Sequence, residues 1–146
     1  MGSKHTLNFE GLPVGKEDLV QLGIGPRLLT IDAIGLFDIA ELTPPPSATW
    51  GKRSIMPANV RAVRIRFDQP IAEFGTAMAM LAGAPPDQTP YARFYFDGRS
   101  DRYYDVPDYG GISFPYTASY SSRPFNRIHQ VLLYRGVFDN CWFYVE

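Results

Sequence analysis

Glycine and proline punctuate this chain so regularly that it has room for strands and turns but not for long helices. Thirteen of each are spread over the 146 residues. Proline removes a backbone donor and glycine tolerates turn geometry, so each tends to end the element it meets. Between these breaks lie short runs in which apolar and polar residues alternate, the period of a half-buried strand.

Val63, Ile65 and Phe67 alternate with Arg64, Arg66 and Asp68, which predicts a strand with an arginine-bearing outer face. Gln69-Pro70 ends it. Phe74, Thr76, Met78 and Met80 alternate with small residues, predicting a strand covered on both faces in preference to a helix. Ala92, Phe94 and Phe96 alternate with Tyr91, Arg93 and Tyr95. Asp97-Gly98 then begins a turn, with Arg102 to Val106 returning as the hairpin partner. Ile112–Tyr120 and Ile128–Tyr134 read as further strands, the second apolar on both parities and therefore central. Leu28 to Ile39 reads as one bent strand or two, and Lys16 to Leu22 as one or two helical turns. Thr6 to Pro13 at one end reads as a short strand running into a turn, and Gly136 to Glu146 at the other as a strand that pairs with it. Met1 to His5 reads as a disordered or added lead-in, and 6–146 as a single domain.

A chain of this length buries roughly 70% of its extended surface on folding, enough for one core without a staple. Fourteen basic residues against fifteen acidic ones lack the basic footprint of a nucleic-acid binder. No run reaches the ~18 apolar residues of a membrane-spanning helix, so no membrane insertion is expected. The single cysteine, Cys141, sits among Trp142, Phe143 and Val145 and reads as a buried apolar thiol.

Together these pieces predict an all-β chain, a single antiparallel β-sandwich of about eight or nine strands with its first and last strands adjacent. The order of its motifs is similar to that of jelly-roll domains of bacterial exported and surface proteins. The leading Leu7-Asn8-Phe9-Glu10-Gly11-Leu12-Pro13 comes first. The run from Val63 to Gly75, the Phe96-Asp97-Gly98 turn, Phe125-Asn126-Arg127-Ile128 and the closing Phe138-Asp139-Asn140-Cys141-Trp142-Phe143 follow in that order. The resemblance covers most of the chain and implies a jelly-roll fold like that of carbohydrate-binding modules and galactose-binding-like domains. It implies a fold more than an activity. The compartment stays open between export with a leader removed and the cytoplasm.

Related jelly rolls hold a structural calcium between the first strand and the last. By position, the resemblance implies Glu10 and Asp139 as its side-chain ligands, with backbone carbonyls completing an oxygen shell suited to Ca2+. Asp139 shares the parity of Cys141, Phe143 and Val145 and is expected to face inward; the competing reading pairs it with Arg127 or Arg135.

Seven of the nine tyrosines lie between Tyr91 and Tyr120. Tyrosine offers a flat apolar ring and a hydroxyl, a combination that suits partly polar binding surfaces. Tyr91, Arg93 and Tyr95 share one strand face, and Asn140, Trp142 and Tyr144 share another. Either the two groups form one glycan platform or their rings fill a second core. His129, inside an apolar strand, reads as a hydrogen-bonded structural histidine. The acidic residues have no spacing that picks out a general acid and a base, and two isolated histidines do not make a cupin metal site, so no enzyme is expected. The sequence therefore points to a non-catalytic binding module with carbohydrate as its ligand class. The alternative is a structural or protein–protein interaction domain, a homodimer among the forms it would take.

Overall fold

The computed structural model describes residues 3–7, 15–41, 53–57, 62–80, 89–96, 102–106, 116–121 and 127–145. In chain order the strands are β1 (Ser3–Leu7), β2 (Gly15–Ile24), β3 (Arg27–Glu41), β4 (Arg53–Pro57), β5 (Ala62–Ile71), β6 (Glu73–Met80), β7 (Tyr91–Phe96), β8 (Tyr103–Val106), β9 (Tyr116–Ser121), β10 (Ile128–Tyr134) and β11 (Gly136–Val145). These eleven exceed the eight or nine expected, and no helix occurs among the described residues. Lys16 to Leu22, expected as helical turns, lies within β2, because the long β3 offers it a pairing partner on both sides of an irregularity at residue 18. Ser3 to His5 belong to β1 and not to a lead-in, because β11 pairs with them.

Every ladder is antiparallel, in the order β8-β7-β10-β5-β3-β4-β11-β6-β9, with β2 on β3 and β1 on β11. The path folds into two facing sheets that do not close into a barrel. Strand β2 follows β3 from one sheet to the other, and three further stretches carry the chain across. Strand β3 pairs with β5 through Leu29–Ala33 and with β4 through Phe37–Glu41, so it turns the corner within its own length. Strand β5 passes into β6 at Ala72, whose N–H donates to the Tyr144 carbonyl at 2.9 Å. Strand β10 passes into β11 through Arg135, which takes a positive φ of 62°. Such corners are how strands switch between packed sheets. The first sheet is therefore β8-β7-β10-β5 with the first half of β3 and residues 19–24 of β2. The second is the rest of β3 with β4, β11, β6 and β9, and β1 lies beside β11 as the sequence predicts.

One apolar core fills the space between the sheets. Ile31, Val63, Ile65, Phe67, Phe94, Val131 and Leu133 come from the first sheet, and Ile39, Ile55, Phe74, Met78, Phe138, Cys141 and Phe143 from the second. Edge-to-face ring pairs cross the gap: Phe143 to Phe67 at 5.4 Å, Phe67 to Phe74 at 6.2 Å and Phe74 to Phe94 at 6.0 Å. Phe94 then meets Tyr120 of β9 at 5.7 Å. Tyr120 also touches Phe96 and Tyr104, so side chains join the two ends of the strand path where no ladder does.

Proline is accommodated where it costs no ladder bond. Pro70 sits near the end of β5, beyond Phe67, the last residue there that pairs with β3, and within the irregularity of the β10 ladder. The exposed carbonyls are taken up by Arg27, whose Nε donates to the Gln69 oxygen at 3.0 Å and Nη2 to the Pro70 oxygen at 2.8 Å.

A bulge in β11 changes what strand parity predicts. Asp139 faces Ala77 and Trp142 faces Gly75, so three steps of β11 span two of β6, and Asn140 takes a φ of 52°. Thr76 sits opposite this bulge, fully buried. Its hydroxyl lies 3.2 Å from the Asp139 carbonyl, 3.1 Å from its neighbour Ala77's and 3.3 Å from the Cys141 sulfur. The buried hydroxyl donates across the bulge to the Asp139 carbonyl, which an isosteric methyl cannot do. Thr76→Val is expected to destabilise the fold by about 1–2 kcal/mol in urea unfolding, with the slope unchanged; equal midpoints for both proteins would show that the bulge needs no such partner.

Candidate functional site

The register of the first sheet sets its outward side chains in rows across the strands. One row runs Asp105, Arg93, Leu132, Arg64, Asp32 and Leu19, one residue from each of β8, β7, β10, β5, β3 and β2. The row beside it runs Tyr103, Tyr95, Gln130, Arg66, Thr30 and Gln21. A shorter third row places Tyr91 opposite Tyr134 and Tyr134 opposite Ala62. Six strands at ~4.8 Å spacing give a face about 24 Å across.

The first row is held by ion pairs at both ends. Arg93 donates to Asp105 through two nitrogens, at 2.7 and 3.1 Å. Arg64 does the same to Asp32, at 2.8 Å through each nitrogen. Arg66 reaches over from the second row and donates Nη2 to the same Asp32 at 2.9 Å. Two-pronged arginine–carboxylate pairs fix the plane of the guanidinium as well as its position. The hydrogen bond from Arg64 holds the Asp32 carboxyl below the usual carboxylate range, and Asp32 in turn raises Arg64. The bond to Asp105 likewise raises Arg93.

Aromatic rings pack around Arg93. Its guanidinium carbon lies 4.2 Å from the centre of the Tyr103 ring, 5.4 Å from Tyr134 and 5.9 Å from Tyr91. Tyr91 and Tyr134 stack at 4.5 Å with planes 8° apart, and Arg135 lies over Tyr91. Tyr95 touches Tyr103 at 5.6 Å and His129 at 6.5 Å. Burial pushes the Tyr134 hydroxyl above its ordinary range, against the pull of Arg93. Tyr103 stays 48% exposed at the rim.

The expected residues divide between two surfaces. Tyr91, Arg93 and Tyr95 lie together on the outer face of the first sheet. Trp142 and Tyr144 lie on the outer face of the second sheet, so the six do not form one platform. Asn140 sits in the bulge with a positive φ and is half-buried, as Trp142 and Tyr144 are. The Trp142 indole lies over Gly75, where a β-carbon would collide with it, and Lys4 stands 5.0 Å from the ring centre. The bulge also moves Asp139 off the parity of Cys141. Asp139 is fully buried beside Val137 and Ala77, on the face away from the main core. Its proposed calcium partner, Glu10, and the Asp97-Gly98 turn lie outside the described residues. Among the described residues no three acidic, histidine or cysteine side chains gather as a metal site. Cys141 is buried as expected, and burial pushes its thiol up to about 12.

Sequence reasoning missed Tyr103, Asp105, Gln130 and Tyr134 as members of the Arg93 surface. A two-residue turn at Asp97-Gly98 would set Arg102 opposite Arg93, three residues short of the observed partner Asp105, so the turn motif did not give the register of this hairpin. The strand holding Tyr134 gave no signal either, since its register with β7 rests on a bulge at His129. Comparison with known protein families, curated proteins and solved structures gives no match.

Because the folded Asp32 carboxyl titrates below its unfolded value, its stabilising effect is present above an unfolded pKa of about 3.9 and is lost as pH falls through the folded value. Asp32→Asn is expected to cost about 1–2 kcal/mol at neutral pH and progressively less in acid. Melting curves of both proteins from neutral to acidic pH check this; a pH-independent gap would assign the loss to packing.

Proposed function

We propose that this sandwich is a non-catalytic binding module and that it takes carbohydrate on the outer face of its first sheet. The observation that carries the reading is the Arg93 cluster: a guanidinium fixed by Asp105 and set against Tyr103, with the stacked Tyr91–Tyr134 pair beside it. A sugar offers apolar ring faces and a rim of hydroxyls, and this surface offers aromatic faces beside oriented donors and acceptors. The side chains are already held by one another, so little further ordering is needed on binding. The finer reading of the sandwich as a jelly roll goes with this proposal and is supported by the pairing of β1 with β11.

A second reading, an assembly domain that forms homodimers, is favoured by the far end of the same face. Leu19 is 51% and Leu28 44% exposed, on β2 and β3, and β2 has β3 as its hydrogen-bonded neighbour. Sedimentation velocity over a wide concentration range separates the two, since a dimer abolished by Leu19→Glu supports assembly.

Affinity electrophoresis through gels containing neutral and acidic polysaccharides tests the first reading. Retardation by at least one polymer is expected, with Tyr103→Ala weakening it roughly tenfold, the effect of losing one aromatic anchor. Unretarded migration in every gel would overturn the proposal, as would a Tyr103→Ala protein that binds like the parent.

A further inference from the structure

We infer that the ligand of this face is an acidic glycan, and that Arg66 receives a uronate carboxylate from it. The inference rests on the carbohydrate reading above and narrows it to a substrate class.

The charge pattern of the rows carries it. In the first row each arginine is matched: Arg93 has Asp105 to itself, and both prongs of Arg64 are on Asp32. The second row holds one charged residue, Arg66, among Tyr95, Gln130 and Thr30. Arg66 spends a single N–H on Asp32, whose two oxygens already accept from Arg64. One carboxylate thus serves two guanidiniums, and these two rows together carry three arginines against two carboxylates, with Asp68 in the row beyond. Asp68, further along β5, has an oxygen engaged with the Leu28 N–H at 2.9 Å. Among the described residues the other donors of Arg66 meet no acceptor, and its side chain is 45% exposed. A guanidinium has five donors in a planar fork that fits a carboxylate through two of them.

The neighbours of Arg66 fit the rest of a sugar chain. Gln130, directly across on β10, supplies an amide donor and acceptor for hydroxyls, and Thr30, across on β3, supplies a hydroxyl. Beyond Gln130 the row continues to the rings of Tyr95 and Tyr103. From Arg66 to Tyr95 is two strands, about 10 Å at ~4.8 Å spacing, so adjoining sugar units of one chain would meet a cation and an aromatic ring in turn. A neutral glycan would use the rings and leave Arg66 unmatched. An acidic one uses both.

The test measures binding of the full chain to polygalacturonate, alginate and hyaluronan, and to the same polymers after their carboxylates are reduced to alcohols. Binding to at least one uronate polymer is expected, with its reduced form bound at least tenfold more weakly. Arg66→Gln is expected to lose most of that preference, and Arg66→Lys to keep part of it by charge alone. Circular dichroism and melting temperature, unchanged in both variants, exclude a folding defect. If acid and reduced forms bind alike, or Arg66→Gln keeps the preference, the acidic-ligand inference fails and the carbohydrate reading stands. If no polysaccharide in this set or in the electrophoresis panel binds, the carbohydrate reading fails and takes this inference with it.

Discussion

A chain of aromatic contacts, three edge-to-face and the last stacked, holds the two sheets in one relative position, and the outer surfaces follow from it. From Phe143 to Phe67, Phe74, Phe94 and Tyr120, each step passes from one sheet to the other. Each such pair adds about 0.5–1.5 kcal/mol beyond the area it buries. More important here is what the rings do to register. Phe67 lies between Arg66 and Asp68, and Phe94 between Arg93 and Tyr95. A slip of one residue would turn these rings to water and the arginines into the core, so the interior contacts fix which side chains face outward.

The outer face of the first sheet then behaves as a framed surface. Its first row has a carboxylate and an arginine toward each end, with Leu132 between the two arginines. Exposed ion pairs contribute little on their own, but here the two-pronged geometry holds long side chains that would otherwise sweep through many rotamers. Tyr103 and the Tyr91–Tyr134 stack constrain Arg93 from the side. Order on this face comes from mutual restraint among side chains, with the buried Asp32 as the anchor of two arginines.

Much of the architecture was legible because strand alternation is a local property. Val63 to Phe67 and Tyr91 to Phe96 announce both their conformation and their inner face, and the covered strand at Phe74 to Met80 follows from its small residues. Parity failed at Asp139, because a bulge at Asn140 inserts a residue without a distinctive sequence mark. Asp139 consequently faces away from the main core. The allocation of strands to sheets was not legible either. Trp142 and Tyr95 look equivalent along the chain, yet corners at residues 33–36, Ala72 and Arg135 decide which sheet each joins, and those depend on distant partners. For the same reason the Arg64–Asp32 pair, thirty-two residues apart in sequence, was invisible, whereas Arg93–Asp105 sits across one hairpin.

The bulge that displaces Asp139 also gives the molecule a built-in clock. Cys141 is sealed in the core beside Thr76, with its proton held far more tightly than that of a free thiol. A water-soluble alkylating reagent at neutral pH therefore has no target until the sandwich opens at this point. The rate at which the native protein takes up such a label reports how often the two sheets part at the contact of β6 with β11, with no engineered site. A second cysteine placed on the surface could carry a fluorophore while Cys141 stays silent and goes on counting those openings.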